Sequence, residues 1–275
     1  MHPLDRPVWA SLTGHHVPIA VGDALALRFP EDVNLFASAR DDSDEALQAF
    51  AALIASTRPV YVLQAPKIAV PPGCRALQPG NGVQMLATRN LRAAAAAELA
   101  VGDIQPLGDT DAPEMLALAR LTKPGPFLTR THAMGRFIGV RIDGRLAAMA
   151  GERMRFAGHT EVSGVCVHPD FRGRGLARRL STVVTAHIQD RGDLPFLHAW
   201  ADNRAAIALY ETLGFELRCE VRATLLGREL GARCVVVILR HGFAHRPTAP
   251  TELRQLATFM ADDHMHSAST ARATQ

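Results

Sequence analysis

The chain has almost no lysine. Lys67 and Lys123 stand alone among 30 basic residues, and the remaining positive charge is arginine. With the high alanine content, this reads as a GC-rich coding bias rather than an adaptation to nucleic acid. The formal net charge of +3 calls for no polyanionic partner. Basic residues interleaved with aromatics are missing, so no nucleic-acid partner is expected. Cysteine is also scarce: Cys74, Cys166, Cys219 and Cys234 form no C-x-x-C pair and read as four reduced thiols. H-E-x-x-H is absent, and no metal is expected. His264 and His266 beside Asp262 and Asp263 read as part of a solvated tail. Apolar runs such as 93–97 are far too short to cross a bilayer, so no membrane partner is expected. The start M-H-P-L-D-R-P has no apolar segment of a secretory leader, which makes a cytoplasmic location the expectation.

What the chain does have is ordinary globular composition, 48% apolar and 21% charged over 275 residues. That length suffices for one large or two modest domains. Three regions are expected: a weakly patterned α/β half over 1–105, a well-patterned domain over 106–230, and an extra strand with a poorly ordered tail over 231–275. In the first region, Asp42 to Glu45 resembles a capping box opening a helix through Leu47, Phe50, Leu53 and Ile54. Val60 to Leu63 reads as a buried strand, Pro71 to Gly82 as a Pro/Gly-rich loop, and Leu91 to Leu99 as helix or connector.

The second region opens with a helix over Pro113 to Leu121 and a K-P-G-P-F loop at Lys123 to Phe127. Three extended runs follow: Arg136 to Ile142, Arg145 to Met154, and Gly158 to His168. Asp143-Gly144 marks a hairpin between the first two, giving an antiparallel meander. The apolar period then switches to helical through Leu176, Leu180, Val183, Val184 and Ile188. Phe196 to Trp200 is a strand, Asn203 opens a helix that Gly214 closes, and Phe215 to Leu226 is a strand. This order predicts a mixed α/β sheet with the first helix as a crossover. Beyond it, Cys234 to Leu239 reads as a strand and Leu253 to Met260 as a weak helical patch.

The chemistry concentrates in V-C-V-H-P-D-F-R-G-R-G-L-A-R-R-L, Val165 to Leu180. A strand stops at a proline, a tight Arg/Gly loop follows, and an amphipathic helix begins at once. The first amides of a helix lack intrahelical partners and carry the positive end of its dipole. Gly173 and Gly175 let an anion approach the backbone, and Arg172 and Arg174 add charge. Such a loop suits a pyrophosphate. A P-loop would need Lys after the second glycine, and a dinucleotide fold would need a third glycine where Arg178 stands. Coenzyme A, which also presents a pyrophosphate, remains.

R-G-R-G-L-A, Arg172 to Ala177, resembles the [QR]-x-x-G-x-[GA] signature of the GNAT superfamily of N-acetyltransferases. Ala201 to Phe215 resembles the second block of that family, N-x-x-A-x-x-x-Y-x-x-x-G-F, with Asn203, Ala206, Tyr210, Gly214 and Phe215 in place. The resemblance covers roughly 112–226. It implies the GNAT fold, a mostly antiparallel sheet with flanking helices, and direct transfer of an acetyl group from acetyl-CoA to a primary amine. Arg172, Gly173, Arg174, Gly175, Leu176 and Ala177 are then the expected pyrophosphate cradle. Val165 and Val167 would offer backbone groups to the pantetheine arm, and Asn203 would bond to it or cap its helix. Glu161 is the expected base, against a reading as a solvated charge at a strand start; Glu152 is its substitute. Tyr210 is the expected acid for the CoA sulfur, against a reading as a core aromatic.

The loop Phe127 to Met134 falls where the family lines its acceptor pocket. There Phe127, Arg130 and His132 are candidates for contacting the acceptor, with Arg130 pairing a carboxylate. Cys166 and His168 share a strand face, and a core thiol beside a loop histidine is preferred over a nucleophilic pair. The expected acceptor is a small-molecule or amino-acid amine, and the expected assembly a monomer or homodimer. The rival readings are a protein acetyltransferase and a CoA-binding sensor or interaction module that has lost catalysis.

Overall fold

Proline opens the first helix: Pro7 occupies the first turn of α1 (Pro7–Leu12), where its missing N–H would have no partner anyway. The computed structural model describes residues 2–55 and 58–229. The strand expected at Cys234 to Leu239, the patch at Leu253 to Met260 and the His264/His266 pair lie outside the described residues. After α1, β1 (Val21–Gly22), β2 (Ala26–Arg28) and β3 (Ala37–Ala39) form a small antiparallel sheet. Helix α2 (Asp44–Ala55) covers it. Ser43 Oγ accepts the Ala46 N–H at 3.3 Å, acidic Asp44 and Glu45 sit at the positive end, and Ala46, Phe50 and Ile54 turn inward. They pack with Ala26, Ala37, Val60, Val62 and Leu226 in one apolar cluster.

The remaining elements are β4 (Val60–Gln64), β5 (Cys74–Ala87), α3 (Arg92–Leu99), β6 (Ile104–Leu107), α4 (Ala112–Thr122), β7 (Phe137–Ile142), β8 (Arg145–Phe156), β9 (His159–Val167), α5 (Leu176–Asp190), β10 (Leu194–Trp200), α6 (Arg204–Thr212) and β11 (Phe215–Arg228). Their strands make one eight-stranded sheet ordered β4-β11-β5-β10-β9-β8-β7-β6. Among the described strands only β9 and β10 run parallel, and α5 is the crossover that joins them. This is the mixed, mostly antiparallel sheet with flanking helices that the sequence predicts. Residue 105 lies inside β6, and β4 and β5 pair directly with β11, so strands from both sides of the expected boundary share the sheet. No described helix is long and apolar enough to cross a membrane.

Alternation along β8 divides the core between the two sheet faces. Ala148 and Ala150 join Leu180, Val183, Val184 and Ile188 of α5, while Met149 joins Met115 and Leu118 of α4 with Phe127, Phe137 and Cys166. Helix α5 is also tied to the chain around α3. Arg179 donates to Glu98 at 2.7 Å and to both Asp103 oxygens at 2.9 and 2.7 Å.

One expectation fails here. Pro71 to Gly82 was expected as loop, yet Cys74 onward is strand, paired with β11 from Arg228↔Cys74 to Phe215↔Ala87. Gly73 turns the chain at φ 69° just before the strand, whereas Gly80 and Gly82 within it serve a close approach: a Cβ at Gly80 would stand 2.7 Å from the Trp200 ring. Long tertiary pairing overrides the local Pro/Gly signal. The α1 helix and the β1–β3 sheet were not foreseen, because their segments are too short to show a period.

Candidate functional site

Strand β9 stops at Val167, and a 3-10 turn at Pro169–Phe171 reverses the chain, with His168 Nδ1 accepting the Asp170 N–H at 3.2 Å. Arg172 is extended, Gly173 has φ 76°, and Gly175 has φ 73° as the N-cap of α5. A Cβ at Gly175 would meet no heavy atom within 4 Å, so backbone conformation and not crowding by the protein selects glycine there. No side chain caps the helix. Among the described residues, no acceptor takes the amides of Gly173 through Arg178, and the loop is exposed. Leu176 is buried in the core and fixes the first turn, while the Arg174 guanidinium sits 5.3 Å from the Phe171 ring centre. The result is a row of open donors at the positive end of a 15-residue helix. A phosphate fits such a row.

Beside this junction the sheet parts. β9 and β10 pair only at Leu194↔His159, Pro195↔Thr160 and Phe196↔Glu161. Further along, β10 stays paired with β5 as far as Trp200↔Gly82 but no longer with β9. On its other edge, β9 carries a register shift against β8 that leaves Val165 unpaired. A cleft of about 910 Å³ opens here, lined among others by Val165, Asn203, Ala206, Tyr210, Arg153, His198, Trp200, Phe36, Tyr61 and Lys123 to Pro126. Asn203 caps α6, its Oδ1 accepting the Ala206 N–H at 3.1 Å. Tyr210 is 9% exposed and stands edge-on to Phe215 at 5.9 Å. Burial, with Cys166 and Glu161 nearby, pushes its hydroxyl up to about 12.

A chain of polar side chains lies beneath the cleft. Arg153 donates through Nε and Nη2 to the two oxygens of Glu161 at 2.8 and 2.7 Å, and Met154 N–H adds a longer contact at 3.4 Å. His198 Nδ1 is 2.7 Å from Glu161 Oε1. Its Nε2 is 3.0 Å from Gln84 Nε2, which also donates to Leu4 O at 2.9 Å. Gln84 Oε1 accepts from Arg218 at 2.8 Å. The Gln84 orientation is therefore forced, since a flipped amide would turn its oxygen toward Leu4 O. That makes His198 Nε2 an acceptor, and the Nδ1 proton goes to Glu161. Burial raises the Glu161 carboxyl, but the Arg153 guanidinium outweighs it and, with His198, holds it at about 2.

Several expected site residues therefore take other roles. Glu161 is fully buried and engaged on both oxygens, and Arg153 and His198 hold its carboxyl below the ordinary carboxylate range. Glu152 is buried and bonded twice by Arg191 at 2.9 Å. Arg130 pairs with Asp32 at the surface, His132 Nε2 bonds Asp109, and neither lines the cleft. Phe127 packs edge-on against Phe137 at 5.7 Å in the α4 core, leaving Pro124 to Pro126 of its loop at the cleft. Val167 pairs with Ala148 and is not part of the cleft wall. Cys166 is buried, and burial pushes its thiol up to about 12; His168 serves its own turn, so no nucleophilic pair forms.

Sequence reasoning missed Arg153, His198, Gln84 and Trp200. A signal for Arg153 existed. Folding the meander about Ala157-Gly158 sets Phe156 against His159, which brings Arg153 within one position of Glu161 across the ladder.

Residues 138–224 match the family model described as FR47-like protein. A solved structure assigned to the GNAT acetyltransferase family, from Novosphingobium aromaticivorans, is 43% identical; the match covers 84% of this chain and 100% of that one at a TM-score of 0.76. The [ribosomal protein bS18]-alanine N-acetyltransferase of Salmonella typhimurium is 32% identical over 115 residues, 40% of this chain and 77% of that enzyme. The mycothiol acetyltransferase of Nocardiopsis dassonvillei is 44% identical over 59 residues, 21% of this chain, and the match spans only 18% of that enzyme.

Proposed function

The chain belongs to the GNAT superfamily of acetyltransferases, and on that premise we propose that it moves an acetyl group from acetyl-CoA to a primary amine by direct attack. The observation that carries this reading is the row of unclaimed amides from Gly173 to Arg178 beside a parted β9/β10 pair. Acetyl-CoA supplies a thioester carbonyl and a thiol leaving group. Gly173 to Ala177 hold its pyrophosphate, with Arg172 and Arg174 adding charge. The main-chain groups of Val165, which stands outside the β8–β9 register, and the Asn203 amide hold the arm. Tyr210, protonated at neutral pH, donates to the sulfur as the carbon–sulfur bond breaks and recovers its proton from solvent.

The amine nitrogen forms the new bond to the carbonyl carbon and reacts as the free base, its proton passing to water in the open cleft. Glu161 takes no proton in this scheme. It fixes Arg153 and His198 in the cleft wall, and alignment of the two substrates supplies much of the acceleration. A second reading, transfer to a protein N-terminus, draws on the likeness to the ribosomal-protein acetyltransferase.

The test is acetyl-CoA-dependent thiol release with a panel of free primary amines and short peptides. Release with free amines supports the proposal, and release with peptides alone moves the acceptor to protein. Binding of CoA by calorimetry without release from any acceptor would leave a sensor or interaction module.

A further inference from the structure

One cation in the cleft is only half used. The Arg153 guanidinium spends one edge on Glu161, at 2.8 and 2.7 Å, and lies over the Phe36 ring at 4.8 Å from its centre. A guanidinium has five donors in a planar fork. Nη1 has no acceptor among the described residues, although the side chain is 10% exposed and lines the cleft. Glu161 cannot serve the second edge. It is fully buried and already accepts from Arg153, His198 and the Met154 amide. Among the described residues, no aspartate or glutamate lines the cleft, while Lys123 and Arg153 do. A dicationic acceptor would meet no counter-charge here, whereas an anion would complete a fork already held flat by a carboxylate on one side and a ring beneath.

We infer that the open edge of Arg153 binds a carboxylate on the acceptor, so that the cleft selects amino acids and other primary amines that carry a carboxylate. This rests on the acetyltransferase reading and narrows its substrate class. It also replaces Arg130, which faces Asp32 away from the cleft, as the residue that pairs with a substrate carboxylate. The carboxylate has a second possible source, the acyl chain of a dicarboxylic acyl-CoA, and the experiment separates the two.

Matched pairs of amino acids and their carboxamides are compared at equal free-amine concentration, with acetyl-CoA as donor. The expected kcat/KM is about 10- to 100-fold higher for the carboxylate member, the range of a charge-assisted hydrogen bond. The paired change Arg153→Gln with Glu161→Gln removes both charges together, avoiding a lone buried ion. It should erase that preference while the acetyl-CoA KM stays within about threefold, since Ala148, not Arg153, is the β8 residue that pairs with Val167 at the start of the loop proposed to hold phosphate. A thermal-shift arm with CoA present reads binding alone: the amino acid raises the midpoint and the carboxamide does not. Equal kcat/KM for both members overturns the assignment, as does a preference that survives the double change. So does faster transfer from a dicarboxylic acyl-CoA to amines without a carboxylate. If the double variant fails to fold, the unmodified protein with the matched pairs still decides. Absence of thiol release with every amine breaks the acetyltransferase reading instead, and the thermal-shift arm then judges Arg153 by itself.

Discussion

The helix junction at Gly173–Arg178 and the wall of the cleft are built on opposite principles. The junction, where we place the phosphates, is main chain: exposed amides, two glycines at positive φ and a helix start with no side-chain cap. The wall, where we place the acceptor, rests on side chains: a relay from Arg153 through Glu161 and His198 to Gln84, closed by Arg218 and Asp5. A backbone site is specified by a few neighbouring residues and tolerates little change in them. A side-chain site needs every member satisfied, so its residues matter to stability as much as to binding.

Gly175→Glu attacks the first principle and carries the largest expected effect. The new residue must sit at φ 73°, and its charge faces the phosphates. CoA affinity by calorimetry should fall by more than about 100-fold, while the apparent melting midpoint drops only by the cost of a left-handed glutamate, about 1–2 kcal/mol, since the side chain itself meets open space. Retained affinity would mean that the amides are not the cradle.

Glu161→Ala attacks the second principle, and there the order reverses: stability goes first. It leaves the Arg153 cation buried without its partner, which costs about 3–5 kcal/mol. For a unit of this size that is a fall of roughly 10 °C in midpoint. The pH dependence sharpens the point. Glu161 is held at about 2, below its ordinary 4.5, so its stabilisation is fully present above about pH 4.5 and is lost as pH falls through 2. Glu161→Gln should therefore flatten the acid limb of a stability-against-pH curve between those values. A catalytic base would behave otherwise, losing turnover with an unchanged midpoint.

The same contrast explains what could be read before the fold was known. The strand–turn–helix junction was legible because its signals are local: a strand, a proline, two glycines and a helix period lie within Val165 to Leu180. The hairpin at Asp143-Gly144 was legible for the same reason, and both residues adopt the positive φ that the dipeptide favours, 52° and 76°. The relay was not legible, since Gln84 and His198 are 114 positions apart and meet only through the β5–β10 register. Strand β5 was hidden by its own Pro79, Gly80 and Gly82, whose local signal is a turn. The position of Glu161 could be read from the sequence, but its partners Arg153 and His198 could not. The motif fixes where a carboxylate lies along the strand but not which side chains surround it.

Tyr210 lines the cleft and tests whether the proposed chemistry belongs to the donor side. Tyr210→Phe keeps the ring against Phe215 and removes only the hydroxyl. Turnover should fall by about 100-fold at an unchanged acetyl-CoA dissociation constant. Because the hydroxyl is pushed up to about 12, ionisation of Tyr210 should cause no alkaline loss of activity up to about pH 10.

The smallest effect discriminates most finely. Asn203 uses Oδ1 to cap α6 and lines the cleft, while its Nδ2 has no partner among the described residues. Asn203→Ser retains a capping oxygen and removes the amide, whereas Asn203→Ala removes both. If the residue only caps, Ser should match the original protein and Ala should cost about 1 kcal/mol of stability. If the amide also holds the pantetheine arm, Ser keeps the midpoint but weakens acetyl-CoA binding severalfold, as one lost neutral hydrogen bond would. The second outcome would extend side-chain recognition into the donor half, and the clean division between a backbone junction and a side-chain wall would then hold only for the phosphate itself.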